Sequence, residues 1–298
     1  MKKNKAVWIM LLVIGVWGST FPITRLVDHS VSPLWFALWR FVVASSVLIL
    51  CCAARIGKMK IPRDFPWGRI LLLGLIGVTL YYTVFTWSLV YTTASTGALI
   101  QGFIPVCIVV MAWIFLGERM NMVQGFGIAA SVIGVLLLVW GSASDPGSAH
   151  PFRGNILMVA SVLLWSGYTI LLKKMPQLDP LLLTTSLTLA GTILLVPLTL
   201  VTAPHFSFGS VPAASWVAIA YLGAIASALC YLAYSYCIRI LPTPLIGNIL
   251  NLDPAIGAIL SLVLLHERIS AAQGAGIGMI LMGIWMSTGR KEPALDPS

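Results

Sequence analysis

Apolar residues recur along the chain in stretches of about twenty, each closed by a short run of Gly, Pro or charged residues. The stretches are 7–27, 33–54, 69–90, 94–116, 122–141, 154–172, 181–202, 213–238, 244–265 and 271–288. Twenty helical residues rise about 30 Å, the thickness of a bilayer's hydrocarbon core. Backbone groups inside that core must pair within their own segment, which demands helices. A membrane barrel would instead show alternating strands of about ten residues, whereas these runs are apolar on every face. The connections, such as 55–65, 142–151 and 203–212, are too short to house a soluble domain. The pattern predicts an all-α membrane protein of ten transmembrane helices.

Composition removes the alternatives. Of 298 residues, 59% are hydrophobic and only 9% charged, against about 25% charged in a soluble domain. A net charge of +9 would suggest nucleic acid as a partner in a soluble protein, but here the placement of the charges decides. With the N-terminus inside, one face collects Lys2, Lys3, Lys5, Arg55, Lys58, Lys60, Arg63, Arg69, Arg119, Lys173, Lys174, Arg239, Arg290 and Lys291, and the other only Arg25, Arg153 and Arg268. That asymmetry is the positive-inside signature. It predicts an inner-membrane protein with both termini cytoplasmic and the lipid bilayer, not nucleic acid, as its partner. Residues 1–21 resemble a signal peptide, with Lys2, Lys3 and Lys5 ahead of an apolar core, but no small-x-small cleavage site follows. The segment is read as the first span. Cys51, Cys52, Cys107, Cys230 and Cys237 sit in apolar runs without C-x-x-C spacing, so neither a disulfide framework nor a metal site is expected.

The two halves resemble each other. A shift of 149 residues lays Pro105 on Pro254, Glu118-Arg119 on Glu267-Arg268, Gln124-Gly125 on Gln273-Gly274, Gly127 on Gly276, Gly134 on Gly283 and Tyr82 on Tyr231. With one residue of slip, Trp17 falls on Trp165 and Arg25 on Lys173. Residues 1–146 and 147–298 are therefore read as two repeats of five spans. Five is odd, so the second repeat enters the membrane in the opposite sense. Inverted repeats place a binding site near the midplane between the halves and let the halves exchange conformations, which is alternating access.

These residues resemble the drug/metabolite transporter superfamily, and within it the ten-helix exporters built from two EamA-type repeats. The resemblance rests on Trp17-Gly18-Ser19-Thr20-Phe21, Arg40-Phe41, Pro105, Leu116-Gly117-Glu118-Arg119 and Gln124-Gly125, then on Pro254, Leu265-His266-Glu267-Arg268 and Gln273-Gly274. Two departures stand in the second half: Trp165-Ser166-Gly167-Tyr168 replaces a second Trp-Gly-Ser, and His266 replaces the glycine. The resemblance implies ATP-independent export of amino acids, other metabolites or toxic compounds, and is closest to the amino-acid exporters, aromatic ones included. A multidrug or other metabolite exporter is the alternative.

Candidate binding residues follow from polarity inside the spans. Asp253, deep in a span and next to Pro254, is costly in a membrane and is read as a proton or substrate-ammonium site, or as a packing or salt-bridge partner for Arg40. Arg40 suits a substrate carboxylate, or else pairs structurally or snorkels outward. Asn248 and Asn251 share a helix face and, with Gln101, offer neutral donors and acceptors; interhelical bonding is their structural role. Trp17, Trp165, Tyr82 and Tyr231 lie mid-span, where interfacial anchoring does not apply, and line a cavity or pack the core. Thr20 and Tyr168 are lesser candidates, with Ser19 and Thr86. Glu118 and Glu267 each precede a helix and are read as N-terminal caps; Gly125, Gly127, Gly134, Gly274, Gly276, Gly278 and Gly283 are read as close-packing positions.

No catalytic site is expected. His266-Glu267-Arg-Ile-Ser lacks the last histidine of a zinc-protease motif, and no G-x-x-x-x-G-K-[ST] loop occurs, so no cofactor and no ATPase subunit is expected. Asp253-Pro254-Ala255 has the shape of a water-channel motif, but its counterpart is Ile104-Pro105-Val106, which disfavours a channel. The chain reads as a monomeric or weakly dimeric carrier of small molecules, with its cavity between the repeats.

Overall fold

The computed structural model describes residues 2–27, 31–55, 62–117, 121–142, 149–175, 178–237, 240–241 and 249–288. Apart from short connections, these residues are helical. The first predicted span is α1 (Lys2–Gly18) continued by α2 (Thr20–Val27), and the second is α3 (Pro33–Ala53). The third comprises α4 (Trp67–Gly74), a π-helical stretch Leu75–Leu80 and α5 (Tyr81–Tyr91); the fourth is broken into α6 (Ala94–Gln101) and α7 (Ile104–Leu116). Then follow α8 (Met122–Gly141), α9 (Pro151–Lys173) and α10 (Pro180–Thr202). The eighth span repeats the architecture of the third: α11 (Ala213–Tyr221), a π-helical stretch Leu222–Leu229 and α12 (Cys230–Cys237). α13 (Asp253–Leu265) and α14 (Ala271–Thr288) close the chain.

Eight of these stretches are long and apolar enough to cross a membrane, while Asp253–Leu265 and Ala271–Met286 are apolar but shorter. The described structure thus supplies eight full-length spans where the sequence predicts ten. The first residues of the predicted ninth span, 244–248, lie outside the described residues, and so does Asn248.

The helix boundaries have local causes. Pro33, Pro151 and Pro180 each occupy the first turn of a helix, where the missing N–H costs nothing. Asp179 Oδ1 accepts from the N–H groups of Leu181 (2.9 Å) and Leu182 (3.2 Å), and Asn121 with Gln124 forms a reciprocal capping box on α8. α7 ends on Gly117 at φ +69°, in the left-handed region that glycine enters without a Cβ penalty. α13 ends at the equivalent position on His266, which takes φ +52° despite its side chain.

Equivalent spans pack on each other: α3 on α10, α6 on α13, and α8 on α14. α5 also packs on α9. The α8–α14 seam is built on glycine: a Cβ on Gly134 would stand 2.7 Å from the Gly276 carbonyl oxygen, and one on Gly276 2.6 Å from that of Gly134. A Cβ on Gly283 would collide with Ser131 and the Gly127 carbonyl. Gly125, Gly274 and Gly278 are different. Nothing lies within 4 Å of a Cβ at any of them, so their reading as close-packing positions is corrected. A helix turns about 100° per residue, so positions two residues from a seam glycine point away from it.

Candidate functional site

The breaks in the helices set the geometry. The fourth span is interrupted at Gly102-Phe103, between α6 and α7, and α13 begins at Asp253, after a turn at Asn251-Leu252. Pro105 and Pro254, repeat counterparts, occupy the first turn after each break. The breaks meet: a Cβ on Gly102 would lie 3.3 Å from Pro254 Cβ and Cγ. Broken helices that meet at their breaks are the arrangement in which irregular backbone lines a site within a membrane fold.

The π-helical stretches sit at equivalent positions and deliver the aromatic residues. A π turn hydrogen-bonds i to i+5 and shifts the register of everything after it, a feature frequent at functional sites. Leu75–Leu80 leads directly into Tyr81-Tyr82, and Leu222–Leu229 into Cys230-Tyr231. The second stretch also supplies acceptors: Trp17 Nε1 donates to the Ala226 carbonyl (3.0 Å) and Arg40 Nε to Ser227 Oγ (2.9 Å). In the first, Gly77 lets the Tyr168 ring approach, since a Cβ there would clash with it.

Rings from both halves converge. The Tyr82 and Tyr231 hydroxyls, exact repeat counterparts in sequence, stand 3.0 Å apart. Trp17 packs on Tyr231 (5.6 Å between ring centroids) and Tyr234 (5.5 Å). Trp165 packs on Tyr81 (4.9 Å), Tyr168 (5.2 Å) and Tyr231 (6.3 Å). Thr20, one turn beyond Trp17, turns its hydroxyl back onto the Trp17 carbonyl (2.7 Å). Gln101, at the end of α6, donates to Ser161 Oγ (3.0 Å) and interacts with the Tyr81 side chain.

Arg40 is 2% exposed and does not snorkel. Its guanidinium lies over the Tyr82 ring, 4.7 Å from the centroid, a cation–π contact that desolvation strengthens. Nη1 of Arg40 is buried without a partner, as are Oδ1 of Asp253 and Oδ1 of Asn251. Arg40 and Asp253 therefore do not form the salt bridge considered from sequence. Insertion scales put a charged side chain at the bilayer centre at roughly 2.5–3.5 kcal/mol unfavourable, so an unpaired one calls for a compensating role. The space at the crossing is small. A cavity of about 40 Å³ is lined by Leu99, Gly102, Asn251, Pro254 and residues of α14, against ~300–1,000 Å³ for a typical ligand pocket.

At one end of the bundle, Glu267 accepts hydrogen bonds from the backbone N–H groups of Ala94 (2.9 Å) and Ser95 (2.8 Å). It caps α6 of the other half, not the helix that follows it, which is capped by Ser270 and Gln273. The expectation of a cap holds, and its target is corrected. Gln273 Nε2 also donates to Thr96 Oγ1 (3.0 Å). Glu118 lies outside the described residues. At the other end, Lys174 Nζ donates to the Phe115 carbonyl (3.2 Å) and Arg69 to that of Lys174 (3.4 Å), beside a cavity of about 210 Å³ lined by both and by Leu72, Leu73, Leu171 and Met175.

Sequence reasoning missed Tyr81, Tyr234 and Ser227. Tyr234 is the counterpart of Phe85, so an aromatic doublet repeated at i, i+3 was available as a signal. Ser227 carried none, because its partner is 187 residues away.

The pattern of the EamA-like transporter family matches the chain twice, over residues 4–140 and 152–289. A probable terminal-alkyne amino-acid exporter of Streptantibioticus cattleyicolor is 28% identical over 302 residues, covering 100% of this chain and 99% of that protein. The uncharacterized transporter YyaM of Bacillus subtilis is 27% identical over 290 residues (96% and 95%). A probable amino-acid metabolite efflux pump of Salmonella typhimurium is 26% identical over 288 residues (94% and 93%). One solved crystal structure superposes with a TM-score of 0.67 over 95% of this chain and 96% of its own, at 18% identity, and so shares the fold.

Proposed function

The chain belongs to the EamA-like transporter family, and on that premise we propose that it is a secondary transporter exporting small organic solutes, namely amino acids including aromatic ones. Two relatives named for amino-acid export support the cargo. In this reading residues 1–146 and 147–298 are inverted five-helix repeats in the inner membrane, both termini are cytoplasmic, and the carrier acts as a monomer or weak dimer. The observation that carries it is the meeting of Tyr82 and Tyr231 beside the crossing of two broken helices. A centre built from equivalent residues of both halves changes shape when the halves exchange conformations.

The residues have assigned roles. Trp17, Thr20, Tyr82, Trp165, Tyr168 and Tyr231 supply apolar and aromatic walls; Gln101, Asn251 and Asn248 supply neutral polar contacts; Arg40 and Asp253 supply charge. With Glu267 on the outer side, the described state is closed outward by the contacts of Glu267 and Gln273 on α6. Release outward requires those contacts to break while the two repeats rock about the crossing.

The test is uptake of labelled aromatic, aliphatic and basic amino acids into proteoliposomes, with and without a pH gradient, for the wild type and Asp253→Asn. Saturable uptake with counterflow is the expected result, and a gradient response present only in the wild type assigns proton coupling to Asp253. Flux that neither saturates nor shows counterflow overturns the carrier. The ring-lined centre also suits amphiphilic drugs, so drug uptake without amino-acid uptake moves the protein to the multidrug reading.

A further inference from the structure

The packing leaves two charged side chains of opposite sign unfinished, Arg40 buried and Asp253 half-buried, each with a buried polar atom. Arg40 uses Nε on Ser227 and its face on Tyr82, and Nη1 has no partner. Asp253 opens α13 with Oδ1 unpartnered, and Asn251 leaves a second idle acceptor two residues earlier. The two charges do not satisfy each other, yet both border the same centre: Arg40 lies over Tyr82, whose ring is 4.8 Å from that of Tyr81, and Asp253 precedes Pro254, which meets Gly102 next to Gln101. Tyr82 is matched with Tyr231, Trp17 with Ala226 and Gln101 with Ser161; Thr24, Trp39 and Thr83 also leave a buried polar atom unpartnered, but Arg40 and Asp253 are the charged side chains among the six.

A guanidinium N–H can only donate, and a carboxylate can only accept. The missing partners are an acceptor at Arg40 and a donor at Asp253, and because charge-assisted bonds are the stronger ones, an anion and a cation suit them best; one small molecule carrying both would serve. We propose that the transported substrate is a zwitterion with a free carboxylate and a free ammonium, the carboxylate bound by Arg40 and the ammonium by Asp253 with Asn251. The aromatic faces of Trp165, Tyr81 and Tyr168 take the side chain. This deepens the amino-acid reading above and rests on it. It adds a requirement that the reading alone lacks: both charged ends are recognised, so an ester, an amine or an N-acyl derivative of the same amino acid is rejected. It also makes uniport of the substrate electroneutral, because the zwitterion carries no net charge and Arg40 and Asp253 stay with the protein.

The experiment uses the full-length protein in proteoliposomes loaded with phenylalanine. Counterflow of labelled phenylalanine is competed by phenylalanine, its methyl ester, phenylethylamine and N-acetylphenylalanine. For the wild type the three derivatives should compete about tenfold or more weakly than phenylalanine, the size of a lost charged hydrogen bond. Arg40→Gln should weaken phenylalanine by about tenfold and leave the methyl ester unchanged, with Arg40→Lys intermediate. Asp253→Asn should weaken phenylalanine and the ester, and leave N-acetylphenylalanine unchanged. Equal competition by all four compounds in the wild type overturns the proposal without any variant, so a variant that fails to fold does not shield it. Variants that weaken phenylalanine and its derivatives alike overturn it too, leaving amino-acid transport intact. A wild type with no zwitterion counterflow removes the amino-acid reading itself.

Discussion

Tyr82 and Tyr231 hold the same place in the two halves, and each finds its hydrogen-bond partner in the other. Removing one hydroxyl strands the second, whereas removing both strands nothing. Tyr82→Phe and Tyr231→Phe should each destabilise the protein by about 1 kcal/mol, and the double variant by no more than about the same. Thermal unfolding in detergent followed by tryptophan fluorescence measures this, and additive losses would show that each hydroxyl has other partners. His266 offers a gain in the opposite direction. It holds the left-handed conformation that Gly117 holds in the first half, so His266→Gly should stabilise by up to about 1 kcal/mol. At this scale the sequence was half legible. The shift of 149 residues singled out Tyr82 and Tyr231, and a shift of 148 Trp17 and Trp165, because each has an aromatic counterpart. Tyr81 falls on Cys230, Ser227 on Val78 and Arg40 on Leu189, so repeat matching passes over all three, and Arg40 is found through its intramembrane charge and the Arg40-Phe41 resemblance.

Among the elements, the α8–α14 seam and the π-helical stretches behave differently under sequence reading. Glycines seven apart, at 127 and 134 and again at 276 and 283, mark a close-packed seam, and the structure brings the two helices together along it. Gly125, Gly274 and Gly278 share the composition but not the facing, since two residues of helix turn them away from the contact. The contrast is measurable. Gly134→Ala and Gly276→Ala place a Cβ against backbone and should cost roughly 1–3 kcal/mol. Gly125→Ala and Gly274→Ala meet open space and should be neutral or slightly stabilising through helix propensity. Melting curves of the four variants compare them directly, and equal losses would refute the seam. The π turns were illegible for a physical reason. Leu75–Leu80 and Leu222–Leu229 have ordinary helical composition, and the wider turn is fixed by what packs on it. Examples are Tyr168 against Gly77 and the donors of Trp17 and Arg40 at Ala226 and Ser227.

For the whole molecule, the proposed alternating access turns on which contacts hold each end shut. Glu267, from the second half, bonds two backbone N–H groups at the start of α6 in the first. Those groups belong to the positive end of a helix dipole, and charge-assisted bonds of this kind are stronger than neutral ones. Gln273 adds a bond to Thr96 one turn along. At the opposite end the described ties, Lys174 and Arg69 to backbone carbonyls, are exposed and longer. The balance favours closure at the Glu267 end, and weakening that end shifts the population. Ser95 is 2% exposed, and Ser95→Cys is nearly isosteric while keeping the N–H that Glu267 binds. In a background with Cys51, Cys52, Cys107, Cys230 and Cys237 replaced, a membrane-impermeant maleimide should label Ser95→Cys slowly from outside. Adding Glu267→Ala should raise that rate by about fivefold, with Glu267→Gln between, as the loss of ~1 kcal/mol of closed-state preference requires. The same reagent tests the orientation. Cysteines in place of Arg153 and Lys174, at opposite ends of α9, should react only from outside and only from inside, respectively. If Glu267→Ala leaves the rate unchanged, closure resides elsewhere at that end, in the contacts of Asn155 with Thr92 and Ser142. If Arg153 and Lys174 positions label from the reverse sides, the latch faces the cytoplasm, and the described state is the one open toward release.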